Sequence, residues 1–304
     1  MKKASFPSRN GQNIIISATL NSPQGFDEST RYPAVVVSHP GGGVKEQTAG
    51  RYAKKLAEKG FVTIAYEALS QGESKGEPGQ LENPYIRTED VCGAIDSMTT
   101  LTDVDRERIG EMGICAGAGD TANATIIDRR IKAMGSVSEV NTGSMFRKGW
   151  DSNIKDADAT PALENGSKAR TAEAGGAVFV TMPRVPLRKE DAPNRELEQA
   201  WQYYHTRWAQ YPIAPGFATA RSLNQIITYD AYSKAEAFLG QPLQIVAGSM
   251  AGSKWMSDDL YKRAASKEKN FHVMEGASHM SLYDIPKSRD EAISLPSPFF
   301  QSTL

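Results

Sequence analysis

Six short apolar runs, each bounded by turn residues, constrain this chain more than any other feature. They are Ala34 to Ser38 (AVVVS), Phe61 to Ala65 (FVTIA), Ile109 to Ile114, Ile131 to Val137, Leu243 to Ala247 (LQIVA) and Phe271 to Met274. Runs this short and this continuously apolar read as strands buried on both faces, mostly in parallel pairing. The helix-length stretches Thr48 to Lys59, Arg87 to Leu101, Ala116 to Ile127 and Trp255 to Ala265 lie between them. Several of these repeat apolar residues at three-to-four spacing. Such alternation predicts an α/β fold with a mostly parallel, doubly wound sheet. The 304 residues carry no internal repeat, and one large core with an insertion accounts for them.

The rhythm breaks between about residues 140 and 221. Charges are frequent there, no buried strand pair is legible, and prolines stand at 161, 183, 186, 193, 212 and 215. Residues 140–225 therefore read as a helical cap inserted into a core formed by 1–139 and 226–304. Within the cap, Trp201, Tyr204, Trp208 and Tyr211 fall on one helical stripe, which either packs the insertion onto the core or lines a substrate pocket.

Charge narrows the range of partners. Lys and Arg total 35 against 36 Asp and Glu, so the chain has no basic footprint for nucleic acid or an anionic membrane surface. No apolar run approaches the roughly 18 residues of a membrane span, and none follows the opening MKKASFPSRNGQN. Cys92 and Cys115 are too few for a disulfide framework and do not show metal-ligand spacing. These features lead to the expectation of a cytoplasmic protein with a small-molecule substrate and no metal or cofactor. A homo-oligomer stays open.

The most informative segment is RIGEMGICAGAGDTANA, residues 108–124. An apolar strand runs into Gly113-Ile114-Cys115-Ala116-Gly117 and then into a helix, giving G-x-C-x-G at a strand-to-helix turn. A nucleophile elbow needs small residues two positions either side, because larger side chains would collide with the strand and helix. With 26 Gly and 2 Cys in the chain, the pattern arises by chance only about 0.014 times, so its position between strand and helix carries meaning. A thiolate at a helix N-terminus is favoured by the dipole and is nucleophilic near neutral pH. Cys92, inside a helix with no partner motif, reads as core.

After AVVVS comes His39-Pro40-Gly41-Gly42-Gly43, a glycine loop able to turn N–H groups toward an oxyanion. An amide from Gly42 or Gly43, with that of Ala116, would supply two donors. No G-K-[ST] or GxGxxG context follows, which argues against a phosphate cradle. Of the four histidines, only His279, in Gly276-Ala277-Ser278-His279, sits in a loop after the last strand and behind the nucleophile in chain order.

With these residues in place, the chain resembles the α/β-hydrolase superfamily, in the branch near dienelactone hydrolase and the bacterial YcjY-like hydrolases. The stretches that carry the resemblance are HPGGGVKEQ at 39–47, YEALSQGESKGEP at 66–78, RIGEMGICAGAG at 108–119, DRRIKA at 128–133 and GASHMSLYD at 276–284. The chain is similar also to fungal polyketide acyltransferases. The resemblance implies acyl chemistry on an ester, lactone or thioester, with Cys115 as nucleophile, His279 as base, and Ala116 with Gly42 or Gly43 as oxyanion donors. Transfer to an alcohol and a catalytically silent ligand-binding role stay as alternatives. The superfamily commonly places an acid a few residues past the penultimate strand, but here that loop reads Gly248-Ser249-Met250-Ala251-Gly252-Ser253-Lys254, with no carboxylate. Glu139, at the end of the strand before the insertion, and Asp258 or Asp259, on the following helix, are the candidates, beside an acid-free Cys–His dyad.

Overall fold

The computed structural model describes residues 2–304 apart from 12, 207, 208 and 215. Eight of its ten strands form the central sheet: β1 (Lys2–Pro7), β2 (Ile15–Asn21), β3 (Tyr32–Ser38), β4 (Val62–Tyr66), β5 (Val104–Ile114), β6 (Ile131–Val137), β9 (Leu243–Gly248) and β10 (Lys269–Met274). The other two, β7 (Thr181–Pro183) and β8 (Phe217–Thr219), pair with each other outside it. The sheet runs β1-β2-β4-β3-β5-β6-β9-β10. Pairing is antiparallel at β1–β2 and β2–β4 and parallel everywhere else.

The six apolar runs all fall within or one residue from β3, β4, β5, β6, β9 and β10. The first five lie buried because apolar layers cover both faces, whereas β10 is a sheet edge with Asn270, His272 and Val273 exposed, which corrects the expectation of a buried strand there. Strand β3 shows the reason. Val35 and Val37 pack into one apolar layer with Tyr52, Ala53 and Leu56 of the helix Thr48–Ala57, while Ala34 and Val36 pack into the other with Ala94 and Ile95 of the helix Pro84–Thr99. Alternate residues thus serve opposite layers, as strand geometry requires. The edge strand β1 and its neighbour β2 were not legible in the sequence. Only Phe6 of β1 is buried, so that strand offers no apolar run.

The segment between β6 and β9 contains the helices Thr142–Lys148, Thr160–Ala174 and Arg195–His205, together with the β7–β8 pair. That antiparallel pair is short and β7 is mostly exposed, so it is not a buried strand pair of the kind the sequence lacked there, and three residues per strand are too few to leave a pattern. The aromatic stripe is corrected too. The helix ends at His205, so Tyr211 lies beyond it, and Trp208 lies outside the described residues. Tyr203 and Tyr204 are the residues buried on that helix, while Trp201 is half-buried. Cys92 packs beside one of the apolar layers, as expected of core. Among the described residues no helix is long and apolar enough to cross a membrane.

One consequence of the strand order positions the site. Strand β4 follows β3 on one side and β5 returns on the other, so the chain switches direction across β3. Crevices at such switch points, outside the carboxyl ends of the strands, are where doubly wound sheets bind ligands. The loops leaving β3 and β5 are His39–Gly43 and Cys115–Ala116.

Candidate active site

Cys115 caps the helix Ala116–Ile127 in a left-handed backbone conformation, φ 58° and ψ −124°. Steric necessity fixes its neighbours: a Cβ on Gly113 would stand 2.3 Å from Ala118 Cα, and one on Gly117 would stand 2.6 Å from the carbonyl oxygens of Ser38 and His39. The strained residue is held by its own backbone groups. Its N–H donates to Val137 O (3.0 Å), and its carbonyl accepts from Ala118 N (2.9 Å) and Val140 N (3.2 Å). The Ala116 and Gly41 amides and the Tyr283 hydroxyl stand around the thiol, and each draws its pKa down. Burial nonetheless outweighs these neighbours and pushes the thiol up from its ordinary pKa. Burial thus works against the thiolate that the helix N-terminus favours.

The glycine loop offers its first glycine to the sulfur, where the sequence pointed to Gly42 or Gly43. The Gly43 amide is taken by Pro40 O at 3.0 Å, and Gly42, at φ +69°, lies under the Arg184 side chain. Gly41 and Ala116 line the same cavity as Cys115. A buried framework fixes this loop. His39 Nδ1 donates to Pro40 O (2.7 Å) while Nε2 accepts from Ala68 N (3.0 Å), and burial with the nearby Arg87 keeps the ring neutral. Arg87 donates to His39 O (2.7 Å) and to Asp120 of the nucleophile helix (2.6 Å), tying the two donor-bearing segments together. Glu82 pairs with both Arg87 and Arg184.

His279 lies in the loop after β10 and lines the same cavity. Its Nδ1 hydrogen-bonds Ser253 Oγ at 2.6 Å, and its Nε2 hydrogen-bonds the Tyr283 hydroxyl at 2.9 Å. With no charged partner on the ring, burial pushes its pKa down to about 3. A chain therefore runs from Cys115 Sγ through Tyr283 to His279 and on to Ser253.

The structure brings none of the candidate acids to the imidazole. Glu139 turns into the core, bonded to Ser136 Oγ and, at 2.9 Å, to the Tyr232 hydroxyl, and burial pushes its carboxyl up to about 8. Asp258 is half exposed and pairs with Lys254 at 2.9 Å, a helix-surface contact. Asp259 faces Arg263 at 3.6 Å. Ser253, in the loop where the superfamily acid was sought, occupies the orienting position instead. Tyr283 was the other omission. It stands four residues after His279, a spacing that brings side chains onto one face of a helical turn, so GASHMSLYD already contained the signal.

The cavity above Cys115 has a volume of about 220 Å³. Its walls are largely apolar, with Met145, Phe146, Trp150, Met182, Val185 and Ile226 contributed by the segment between β6 and α/β core strand β9 or its approach. An apolar wall beside a polar floor of thiol, amides and imidazole suits a substrate with an apolar body and one reactive polar group.

Comparison with known proteins bears on the fold and the family. The dienelactone hydrolase family model matches residues 16–134. The protein YcjY of Escherichia coli K12 is 64% identical over 302 residues, covering 99% of both chains. The crystal structure of PA2218 from Pseudomonas aeruginosa superposes with a TM-score of 0.90 at 30% identity, covering 100% of this chain and 93% of that one. The α/β-hydrolase GrgF from Penicillium sp. sh18 shares the fold at a TM-score of 0.81 and 16% identity, covering 99% of this chain and 98% of that one. The matched family model supports hydrolase activity. With its helix-covered central sheet, its strand-to-helix turn and these relatives, the chain belongs to the dienelactone hydrolase family of α/β-hydrolases.

Proposed function

We propose that this protein is a cysteine-dependent acyl hydrolase that cleaves an ester, lactone or thioester through an acyl-enzyme on Cys115. The observation that carries the reading is the convergence on one sulfur of two backbone amides and a phenol that leads to a neutral imidazole. The thiol proton passes to Tyr283 Oη as the phenolic proton passes to His279 Nε2, and Sγ attacks the substrate carbonyl. The oxyanion takes hydrogen bonds from the Gly41 and Ala116 amides, which are fixed before the substrate arrives. Collapse breaks the bond to the leaving group, which takes the proton back from the imidazole. Water, deprotonated by the same route, then releases the acid and restores the thiol. Ser253 accepts from Nδ1–H and holds the tautomer that leaves Nε2 free to take a proton. The segment 140–225 acts as a cap that selects the acyl group.

Transfer of the acyl group to an alcohol is the second reading, favoured by the apolar cavity wall, which disfavours water near the acyl-enzyme. A silent binding protein has no use for aligned oxyanion donors and a base. Intact mass after incubation with activated esters and thioesters tests the proposal. The expected result is an acyl adduct on wild type that is absent from Cys115→Ala. An adduct retained in that variant, or none with any member of the panel, overturns it. Ester product on adding a primary alcohol identifies transfer.

A further inference from the structure

Glu196 lies in the first turn of the helix Arg195–His205, within the segment between β6 and β9, and its carboxylate gathers donors from three separate stretches of chain. Oε1 accepts from the His279 amide at 2.8 Å. Oε2 accepts from the Gly252 amide at 3.0 Å and from the Trp150 indole Nε1 at 2.6 Å. Each donor belongs to the surroundings of the base. The first is the main chain of the base itself. The second precedes Ser253, the partner of Nδ1. The third belongs to a ring whose centroid stands 4.8 Å from that of the imidazole, at an interplanar angle of 64°.

Only a carboxylate fits this position. All three partners are donors, so both oxygens must accept, and hydrogen bonds to a charged acceptor are about twice as strong as neutral ones. An amide would set its NH₂ against at least one N–H and leave a polar group unpaired. We propose that Glu196 is a positioning residue that locks His279 and Ser253 into register for proton transfer, so that the base is competent only while the segment carrying Trp150 and Glu196 is docked over the cavity. The inference rests on the reading of Cys115 as nucleophile and His279 as its base. Ser253 supplies the orientation that an acid usually gives the imidazole ring, and Glu196 supplies the anchoring from the other side, through the main chain.

The test compares wild type with E196Q, E196D, E198Q and His279→Ala. Two quantities are read: the rate at which iodoacetamide alkylates Cys115 at neutral pH, and kcat and KM on whichever acyl probe the wild type turns over best. E196Q is expected to slow alkylation and lower kcat by roughly tenfold to hundredfold with KM within about threefold, the cost of a base displaced by about 1 Å. E196D, which keeps both acceptors on a shorter arm, recovers part of the loss. E198Q, on the same helix but paired with Lys189 at the surface, matches wild type. Wild-type alkylation and kcat in E196Q, with His279→Ala slow, overturns the positioning role alone. Should His279→Ala also react at the wild-type rate, the base assignment fails and the role of Glu196 falls with it. If E196Q does not fold, E196D decides between the same outcomes, and wild-type rates there refute the proposal.

Discussion

Replacing Tyr283 with Phe removes one oxygen atom, and the geometry sets what that should cost. The hydroxyl joins Cys115 Sγ to His279 Nε2, with 2.9 Å on the imidazole side. Among the described residues the imidazole Nε2 is hydrogen-bonded to the phenol and not to the thiol, so proton transfer between them runs through the hydroxyl. Losing the bridge should therefore remove most of the general-base contribution, a fall of about 10²–10⁴ in kcat/KM. At 1.36 kcal/mol per decade this is about 3–5 kcal/mol of transition-state stabilisation. The same deletion leaves Nε2 buried without a partner, which costs about 1–3 kcal/mol of stability. That is modest against the 5–15 kcal/mol of a typical domain, so the variant stays folded at assay temperature. The assay is kcat/KM on an activated ester or thioester, alongside the rate of Cys115 alkylation followed by mass and a thermal melt to confirm folding. Activity within threefold of wild type, while His279→Ala remains impaired, would refute the relay and show that the imidazole reaches the thiol without the phenol.

Other outcomes follow from the same coordinates. Ser253→Ala deletes the 2.6 Å partner of Nδ1 and should lower kcat by about tenfold to a hundredfold with little change in KM, because the ring is free to turn; an unchanged kcat contradicts the orienting role. Burial holds the imidazole pKa at about 3 instead of 6.5, so the base stays neutral as pH falls through 6.5, and an acid limb of kcat/KM centred there would contradict the assignment. Gly113→Ala forces a Cβ to within 2.3 Å of Ala118 Cα and should cost about 1–3 kcal/mol or more by urea unfolding, whereas an unshifted midpoint would show that the turn has room. Glu139 keeps its proton in the folded state up to about pH 8, so its contribution is fully present below the ordinary carboxyl pKa of 4.5 and is lost as pH rises toward 8. Glu139→Gln should accordingly flatten the fall in stability over that window by at most about 1.4 kcal/mol per pH unit, and an identical slope in both proteins refutes this.

The layers and the elbow were legible in the sequence because local physics dictates them. A strand buried on both faces must be continuously apolar, which is why AVVVS and LQIVA announced β3 and β9. Gly113 and Gly117 announced the elbow because backbone atoms stand where their side chains would be. The choice of Gly41 over its two neighbours was not legible, since it depends on which amide is left free once Gly43 closes on Pro40. Nor was the fate of the carboxylates. Glu139 and Asp258 are near enough in sequence pattern to serve, but one is drawn to Ser136 and Tyr232 and the other to Lys254. Tyr283 left a local trace in its spacing from His279, whereas Ser253 and Glu196 left none, because they meet His279 only after β9, β10 and the intervening segment have packed together. The sequence alone determined which residues could do chemistry, through steric and apolar rules that act over a few neighbours. The tertiary structure decided which of them face one another, because a hydrogen bond across 26 or 83 residues is set by packing and not by the chain between.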